Sequence, residues 1–154
     1  MNTEAIDLRS AVVSVRAMLD GLAHASGVEL RITFHDQPPL AVRADARRLR
    51  QVLSNLLSNG IKYNHRGGWV QVGALRQGDT VELSVADSGI GLADEQIARL
   101  FNPFERLGAE NSGVQGSGLG LALTRELVQA MGGSVGVHSR QGEGSTFFVR
   151  LPAA

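Results

Sequence analysis

Two asparagines and a lysine recur at helical spacing near the middle of the chain. Asn55, Asn59 and Lys62 are separated by four and three residues, so a helix places them within about 60° of one another. An asparagine carbonyl is a hard oxygen donor that Mg²⁺ accepts, and Mg²⁺ fills the rest of its shell with phosphate and water. A lysine one turn further on can neutralise phosphate charge. The stripe predicts a site for a metal-bound phosphate, with a solvated helix face as the alternative.

Two features favour a site over a solvated face. Asparagine is a poor helix former, so two of them inside one helix need a reason. Gly60 lies between Asn59 and Lys62, and glycine inside a helix costs roughly 1 kcal/mol relative to alanine. We therefore expect another part of the fold to pack tightly against this turn.

A second set of residues follows a predicted strand. Asp87 ends the strand, and Gly89 and Gly91 come next, where a side chain would block the close approach of a ligand to the backbone. A buried carboxylate can accept a hydrogen bond from an exocyclic amine such as N6 of adenine. Guanine has a carbonyl at that position and would be excluded. The alternative is a turn in which the aspartate caps its own loop.

A glycine-rich segment opens a predicted helix, at Gly116-Ser-Gly118-Leu-Gly120. Backbone N–H groups at a helix N-terminus bind phosphate. The segment matches neither the Rossmann fingerprint nor the P-loop, because no strand directly precedes it and no Gly-Lys-Ser/Thr is present, and a linker is the alternative. Thr146, at the start of the last strand, has a hydroxyl that could support Asp87 or a base nitrogen through water. An ordinary β-branched strand residue fits that position equally well.

The composition excludes several classes of protein. The 154 residues suit one domain, and the absence of cysteine excludes disulfides, cysteine nucleophiles and thiolate metal sites. The formal net charge of +0 offers no electrostatic support for binding nucleic acid. There is no basic cluster, no signal peptide and no apolar run near the ~20 residues of a membrane span. We therefore expect no nucleic-acid partner and no membrane contact.

The elements that position these residues follow from hydrophobic periodicity and turn residues. Asp45 and Asp94 are predicted N-caps of helices. Hairpins at 69–87 and 134–151 exclude an all-parallel sheet. The pattern predicts an α+β fold, a two-layer α/β sandwich with a mixed sheet of about five strands and three main helices on one face. The predicted helices are 8–26, 46–63, 94–100 and 118–131; the strands are 28–35, 41–43, 69–76, 80–87, 135–139 and 145–151; and 102–117 is a loop.

In this order and at these distances, the motifs resemble the catalytic ATP-binding domain of bacterial sensor histidine kinases. That domain belongs to the GHKL superfamily, which includes DNA gyrase, mismatch-repair ATPases and a heat-shock chaperone, and has the Bergerat-type ATP-binding fold. The resemblance covers residues 8–151, through an N box at 51–64, glycine boxes at 87–91, 116–121 and 144–147, and an F box at 101–106.

The resemblance implies ATP and Mg²⁺ as cofactors and assigns roles to residues. It implies Asn59 as the Mg²⁺ ligand, Asn55 and Lys62 as catalytic contacts on the phosphate side, Tyr63 as a residue packing near the nucleotide, and Asp87 as the adenine-reading carboxylate. The loop 102–117 resembles the ATP lid, with Phe101 and Phe104 as its anchors. The further nucleotide-binding residues expected are Gly89, Gly91, Gly116, Gly118, Leu119, Gly120 and Thr146.

The sequence departs from the family pattern in three places. Gly60 stands where alanine is usual, and Asn64 stands where serine or threonine is usual. The third departure is that no phosphoacceptor segment is present. None of the four histidines lies in an acidic motif on a long helix. His24 is the least unsuitable, and ordinary surface histidines are the better interpretation. The four histidines of the chain are His24, His35, His65 and His138.

We therefore expect this chain to be a single catalytic domain whose partner is the histidine-bearing dimerisation domain of a parent kinase, and indirectly a response regulator. Dimers of the family form through that hairpin domain, so the isolated chain is expected to be a monomer. The expected location is cytoplasmic, with a parent protein that can be anchored in the membrane.

Asn55 separates two kinds of ATP chemistry. Superfamily members that hydrolyse ATP carry a glutamate one turn before the Mg²⁺ asparagine, and an amide cannot take a proton from water. Asn55 therefore favours transfer of the γ-phosphate to a histidine, for which the protein mainly supplies positioning and charge stabilisation. The alternatives are a serine protein kinase of the anti-sigma-factor type, which needs an acidic base in the N box, and a non-catalytic module that binds a nucleotide or only a partner.

Overall fold

The computed structural model describes residues 1–35, 38–101 and 118–154, so the predicted loop 102–117 lies outside the described residues. Four helices and seven strands follow one another along these ranges. Their order is β1 (Thr3–Asp7), α1 (Leu8–Ser26), β2 (Glu29–Ile32), β3 (Ala41–Asp45), α2 (Ala46–Lys62), β4 (Trp69–Gln77), β5 (Thr80–Asp87), α3 (Asp94–Arg99), α4 (Gly118–Ala130), β6 (Ser134–Arg140) and β7 (Gly144–Pro152).

Five strands form one mixed sheet in the order β2-β4-β5-β7-β6. β2 is parallel to β4, while the three other pairs are antiparallel. Helices α1, α2 and α4 pack against this sheet. The predicted α+β class, with a mixed sheet of about five strands, is confirmed.

The core lies between the sheet and the helices, because alternate side chains of each strand point to the helical layer. Val81, Leu83 and Val85 of β5 are fully buried, whereas the residues between them are half-buried. The apolar stripe of α2 covers them. The buried residues of that helix are Leu49, Val52, Leu53, Leu56, Leu57, Gly60 and Ile61.

Strand β1 is an element that hydrophobic patterning does not predict. It pairs antiparallel with β3, from Thr3 opposite Asp45 to Asp7 opposite Ala41. Its side chains are mostly exposed, so no apolar alternation marks it, and its pairing depends on backbone hydrogen bonds. The backbone N–H of Asn2 donates to Asp45 at 2.8 Å.

Asp45 joins this strand pair to helix α2. As predicted, it is the N-cap of α2, and its carboxylate accepts a hydrogen bond from Arg48 N at 3.1 Å. The backbone N–H groups of Asn2 and then Arg48 lower the pKa of Asp45, because hydrogen bonds to the carboxylate favour its charged form.

Some predicted boundaries are wrong by a few residues. The N-cap of α3 is Ala93 rather than Asp94, because the side chain of Gln96 accepts from the backbone of Ala93 at 2.8 Å. Only residues 29–32 of the predicted strand 28–35 pair with β4. No helix within the three described ranges is long and apolar enough to cross a membrane.

Candidate functional site

A cleft of about 130 Å³ opens between the C-terminal half of α2, the turn after β5 and the start of β7. Its lining includes four residues that the motifs predicted, namely Asn59, Tyr63, Asp87 and Gly91. Asn59 and Tyr63 come from one helix end, while Asp87 and Gly91 come from one strand end. Two motifs separated in sequence thus share one concave surface.

Gly60 explains how α2 approaches the sheet so closely. A Cβ added at Gly60 would lie 3.0 Å from Val70 Cγ2 and 3.7 Å from Asp87 Cβ. The tight packing predicted at this glycine is therefore present. It brings the backbone of the helix beside Asp87, and so it sets the width of the cleft.

Asp87 lines the cleft and accepts hydrogen bonds from backbone donors. Its Oδ1 atom accepts from Gly89 N at 2.8 Å. Desolvation raises the pKa of Asp87 to about 6, while hydrogen bonds from the backbone of Gly89 and Ser145 partly oppose this rise. A partly buried carboxylate of this kind gains by accepting a hydrogen bond from a ligand.

The turn after Asp87 needs glycine at two positions. A Cβ at Gly89 would collide with the carbonyl oxygen of Tyr63, and one at Gly91 with the carbonyl oxygen of Arg140. Gly91 also has a φ of +68°, which other residues rarely adopt. The turn is tied to α2 by a hydrogen bond of 3.0 Å from Ile90 N to Tyr63 O. These contacts make the turn a fixed wall of the cleft.

Among the described residues, the hydroxyl group of Tyr63 has no hydrogen-bond partner. Tyr63 lines the cleft, and its hydroxyl oxygen is buried. Burial also raises the pKa of Tyr63, because desolvation disfavours the phenolate. The ring can pack on a flat ligand, while the hydroxyl is held neutral.

The three polar residues predicted to form one stripe on α2, namely Asn55, Asn59 and Lys62, lie in three different environments. Asn59 lines the cleft. Asn55 faces α4 instead, where its Nδ2 donates to Thr124 Oγ1 at 3.3 Å. Lys62 is exposed and is not part of the cleft lining.

Thr146 faces away from the cleft. Ser145 and Phe147 line the cleft, and successive residues of a strand point to opposite faces, so Thr146 points to the other face of the sheet. It lines a second pocket of about 280 Å³, together with Trp69 and His138 and with Asp87 and Ser145, which also line the cleft. The structure therefore places Thr146 outside the lining of the cleft, and its predicted contact with the nucleotide stays a prediction.

Ser145 lines the cleft one residue before Thr146. It is 8% exposed, its backbone donates to Asp87, and its hydroxyl lies 2.7 Å from that of Ser139. The buried side chain of Phe147, two residues on, was a signal in the sequence that could have identified Ser145 as inward-facing.

Apolar residues complete the cleft, and the sequence analysis assigned them no role. They come from the C-cap of α3, from α4 and from β7, and they meet only because these elements pack together. They are Leu100, Leu121 and Phe147, all buried.

The glycine-rich segment is described only from its last part. Gly116 lies outside the described residues, and Gly118, Leu119 and Gly120 form the first turn of α4. Within residues 1–35, 38–101 and 118–154 no group of three or more histidine, aspartate or glutamate side chains could hold a metal ion. Of the predicted metal ligands, the cleft offers the amide of Asn59.

Comparison with known proteins places this geometry in a family. Residues 44–154 match the family described as histidine kinase-, DNA gyrase B-, and HSP90-like ATPase. The chain is 40% identical over 148 residues to the histidine protein kinase DivJ of Caulobacter vibrioides, which covers 95% of this chain and 24% of DivJ. The chain therefore spans about a quarter of the length of that relative.

Two solved structures show the same fold. Full-length ShkA in complex with AMPPNP aligns with a TM-score of 0.86 at 34% identity, over 100% of this chain and 32% of ShkA. The catalytic domain of the histidine kinase ThkA, in a nucleotide-free form, aligns with a TM-score of 0.83 at 25% identity, over 99% of this chain and 96% of that domain.

Proposed function

The chain belongs to the family of histidine kinase-, DNA gyrase B- and HSP90-like ATPases as a histidine kinase catalytic domain that binds ATP, and we propose that its cleft holds Mg·ATP with the γ-phosphate presented to a histidine on a separate domain. The observation that carries the proposal is the sharing of one cleft by Asn59 and Asp87. An amide oxygen and a buried carboxylate suit the two chemically different ends of this nucleotide.

Asp87 is proposed to read the adenine base. With a pKa of about 6, it is mostly ionised at neutral pH and can accept a hydrogen bond from the N6 amine. The apolar side chains of Leu100, Leu121 and Phe147 supply flat surfaces against which a base can pack. Guanine would place a carbonyl opposite the carboxylate, which leaves two acceptors facing each other.

Asn59 is proposed to hold Mg²⁺ at the phosphate end. The described residues contain no acidic metal cluster, which fits an ion that takes most of its ligands from phosphate oxygens and water and few from the protein. Mg²⁺ would neutralise charge that develops on the transferred phosphoryl group. Lys62 is exposed, and we propose that its ammonium group adds to this neutralisation. ShkA was solved with AMPPNP, an ATP analogue, which supports ATP as the nucleotide here.

Asn55 supports transfer rather than hydrolysis. Its side chain is an amide, which cannot accept a proton from an attacking water. We propose that the acceptor is a histidine on the dimerisation domain of a longer parent kinase, with a response regulator as the indirect partner. We also propose that residues 102–117 are the ATP lid. The domain is proposed to act in the cytoplasm and to make no contact with nucleic acid.

A binding titration followed by a transfer assay tests the proposal. A fluorescent ATP analogue is expected to bind the chain with Mg²⁺ and to lose at least tenfold in affinity in Asp87→Asn, because a buried hydrogen bond is lost. Asp79→Asn is the matched control, since Asp79 is an exposed carboxylate in the turn between β4 and β5 and does not line the cleft. Unchanged affinity in Asp87→Asn would contradict the assignment of the site.

Labelled ATP then separates a kinase from a binding module. Adding a separate histidine-bearing hairpin domain is expected to yield a labelled histidine on that domain. Label on a serine would support the anti-sigma-factor type of kinase, and binding without any label would support a non-catalytic module.

A further inference from the structure

Three polar residues in the described part of the chain are almost completely buried, namely Asp45, Ser145 and Thr124. Two of them have a clear structural task. Asp45 caps α2, and the hydroxyl of Ser145 shares a hydrogen bond of 2.7 Å with that of Ser139. Thr124, at 0% exposure, is the third.

The surroundings of Thr124 favour an apolar residue. It lies on the inner face of α4, three residues after Leu121 and four before Val128, both of which are buried. Valine has the same shape, and a buried hydroxyl costs about 1–3 kcal/mol unless it is hydrogen-bonded. A threonine here therefore needs a hydrogen-bond partner that offsets the cost of burying its hydroxyl group.

One such partner is Asn55. Its Nδ2 donates to Thr124 Oγ1 at 3.3 Å, across 69 residues of sequence. The bond joins α2, which carries the phosphate-side residues, to α4, which begins only six residues before Thr124. The two helices are also in direct packing contact.

We propose that Thr124 is a positioning residue that holds the Asn55 amide in one orientation. The two ends of an asparagine amide have nearly the same shape but opposite hydrogen-bonding character. A hydroxyl on a helix commonly donates to a backbone carbonyl one turn earlier, which leaves its lone pairs for an N–H donor. Thr124 thereby selects the orientation in which Nδ2 faces α4 and Oδ1 faces away.

The consequence for catalysis rests on the proposed function. Asn55 does not line the cleft, so its orientation should affect the transfer step more than the binding of ATP. A valine at position 124 would remove the hydrogen bond to Nδ2 that favours this orientation of the amide. The result expected is slower phosphoryl transfer at nearly unchanged nucleotide affinity.

Nuclear magnetic resonance of the Asn55 side-chain amide tests the positioning without any assay of activity. The signals are assigned by their loss in Asn55→Ala. They are expected to exchange slowly with water in the wild type and in Thr124→Ser, and about tenfold faster in Thr124→Val, as the loss of one net hydrogen bond predicts. Equal exchange in the wild type and Thr124→Val would overturn the proposal even if the chain binds no ATP.

The kinetic arm uses the same variants with labelled ATP and a separate hairpin domain. Thr124→Val is expected to slow transfer about tenfold while analogue affinity stays within about threefold, and Thr124→Ser is expected to restore the rate. In an Asn55→Ala background the valine should cause no further loss.

Two outcomes of the kinetic arm would count against a role through Asn55. A rate that Thr124→Ser fails to restore would assign Thr124 to packing alone. Additive losses in the double variant would show that Thr124 acts independently of Asn55. Thr124→Ala supplies a second hydroxyl-free variant if valine disturbs the fold, and thermal unfolding of each variant identifies that case.

Discussion

Burial of Asp87 disfavours its ionised form, which is the form that best accepts a hydrogen bond from a ligand. Burial raises its pKa to about 6, so the ionised form that a ligand amine requires is also the form that the empty cleft disfavours. The backbone N–H of Gly89, at 2.8 Å, retains part of the charge stabilisation. A nucleotide whose amine donates a hydrogen bond to Asp87 would stabilise the charged carboxylate further. Nucleotide affinity should therefore depend on pH.

ATP affinity is predicted to fall as the pH drops through about 6, the pKa of Asp87. Below that value the carboxyl is protonated and loses acceptor capacity, so affinity should fall by up to about tenfold per pH unit. In the nucleotide-free chain, the contribution of Asp87 to folding stability changes with pH in the opposite direction. Because the folded pKa lies above the unfolded value, the contribution of Asp87 to stability is greatest in acid and is lost as the pH rises through about 6.

Titrations of an ATP analogue from about pH 5 to about pH 8 measure this dependence. The phosphates also titrate in this range, so Asp87→Asn is the control, and its affinity should show only the phosphate contribution. An identical pH profile in the wild type and the variant would contradict the role of Asp87.

Removing the hydroxyl group of Tyr63 is predicted to make the folded chain more stable. The Oη atom is buried without a hydrogen-bond partner among the described residues, and an unsatisfied buried hydroxyl costs about 1–3 kcal/mol. Tyr63→Phe keeps the ring and removes that cost. Chemical denaturation of the nucleotide-free chain should show an increase of about 1 kcal/mol in the free energy of unfolding. A decrease would mean that the hydroxyl has a partner.

Several site residues could be predicted because their motifs encode both chemistry and position. Asn59 lies on a recognisable helix face and Asp87 at a recognisable strand end, and both line the cleft. Ser145 was missed because the alternation of Phe147, Val149 and Leu151 along β7 was not extended back to position 145. The partnership of Asn55 with Thr124 was beyond sequence reasoning, since 69 residues separate them and only the packing of two helices brings them together.

Helix α2 is the element on which the site depends. Asp45 fixes its start, its apolar stripe anchors it on the sheet, and Gly60 allows its last turns to touch Val70 and approach Asp87. The stripe and the cap were predictable from helical period and capping chemistry. Strand β1, which supplies Asn2 N to Asp45, was not, because backbone pairing leaves no hydrophobic pattern in the sequence.

Alanine substitutions at two glycines are predicted to have opposite effects on stability. Gly21 lies inside α1 with nothing within 4 Å of an added Cβ, so Gly21→Ala should stabilise the chain by about 1 kcal/mol through helix propensity. At Gly89 the Cβ would collide with the carbonyl of Tyr63, so Gly89→Ala should displace the turn that carries Asp87.

Thermal unfolding and ATP-analogue titration measure the pair. Gly21→Ala should raise the melting temperature and leave affinity unchanged, whereas Gly89→Ala should lower both. Wild-type affinity in Gly89→Ala would show that the turn is not a fixed wall of the cleft.

The whole chain is a two-layer fold in which the cleft opens where the helical layer meets the ends of the strands. The fold class and the family were predictable because several motifs occur in a fixed order, and both are confirmed. The chain spans about a quarter of DivJ, so the acceptor histidine, the lid and the regulator remain proposals. The position of Thr146, one residue beyond the cleft-lining Ser145, shows where spacing alone is insufficient.

The central claim is that Asn59 and Asp87 hold opposite ends of one ATP molecule. Calorimetric titration of the chain with Mg²⁺ and non-hydrolysable analogues of ATP and GTP measures it most directly. We expect one ATP analogue to bind per chain, and the GTP analogue to bind at least about tenfold more weakly because its carbonyl faces the carboxylate of Asp87. Equal affinity for the two analogues, or no binding of either, would contradict it.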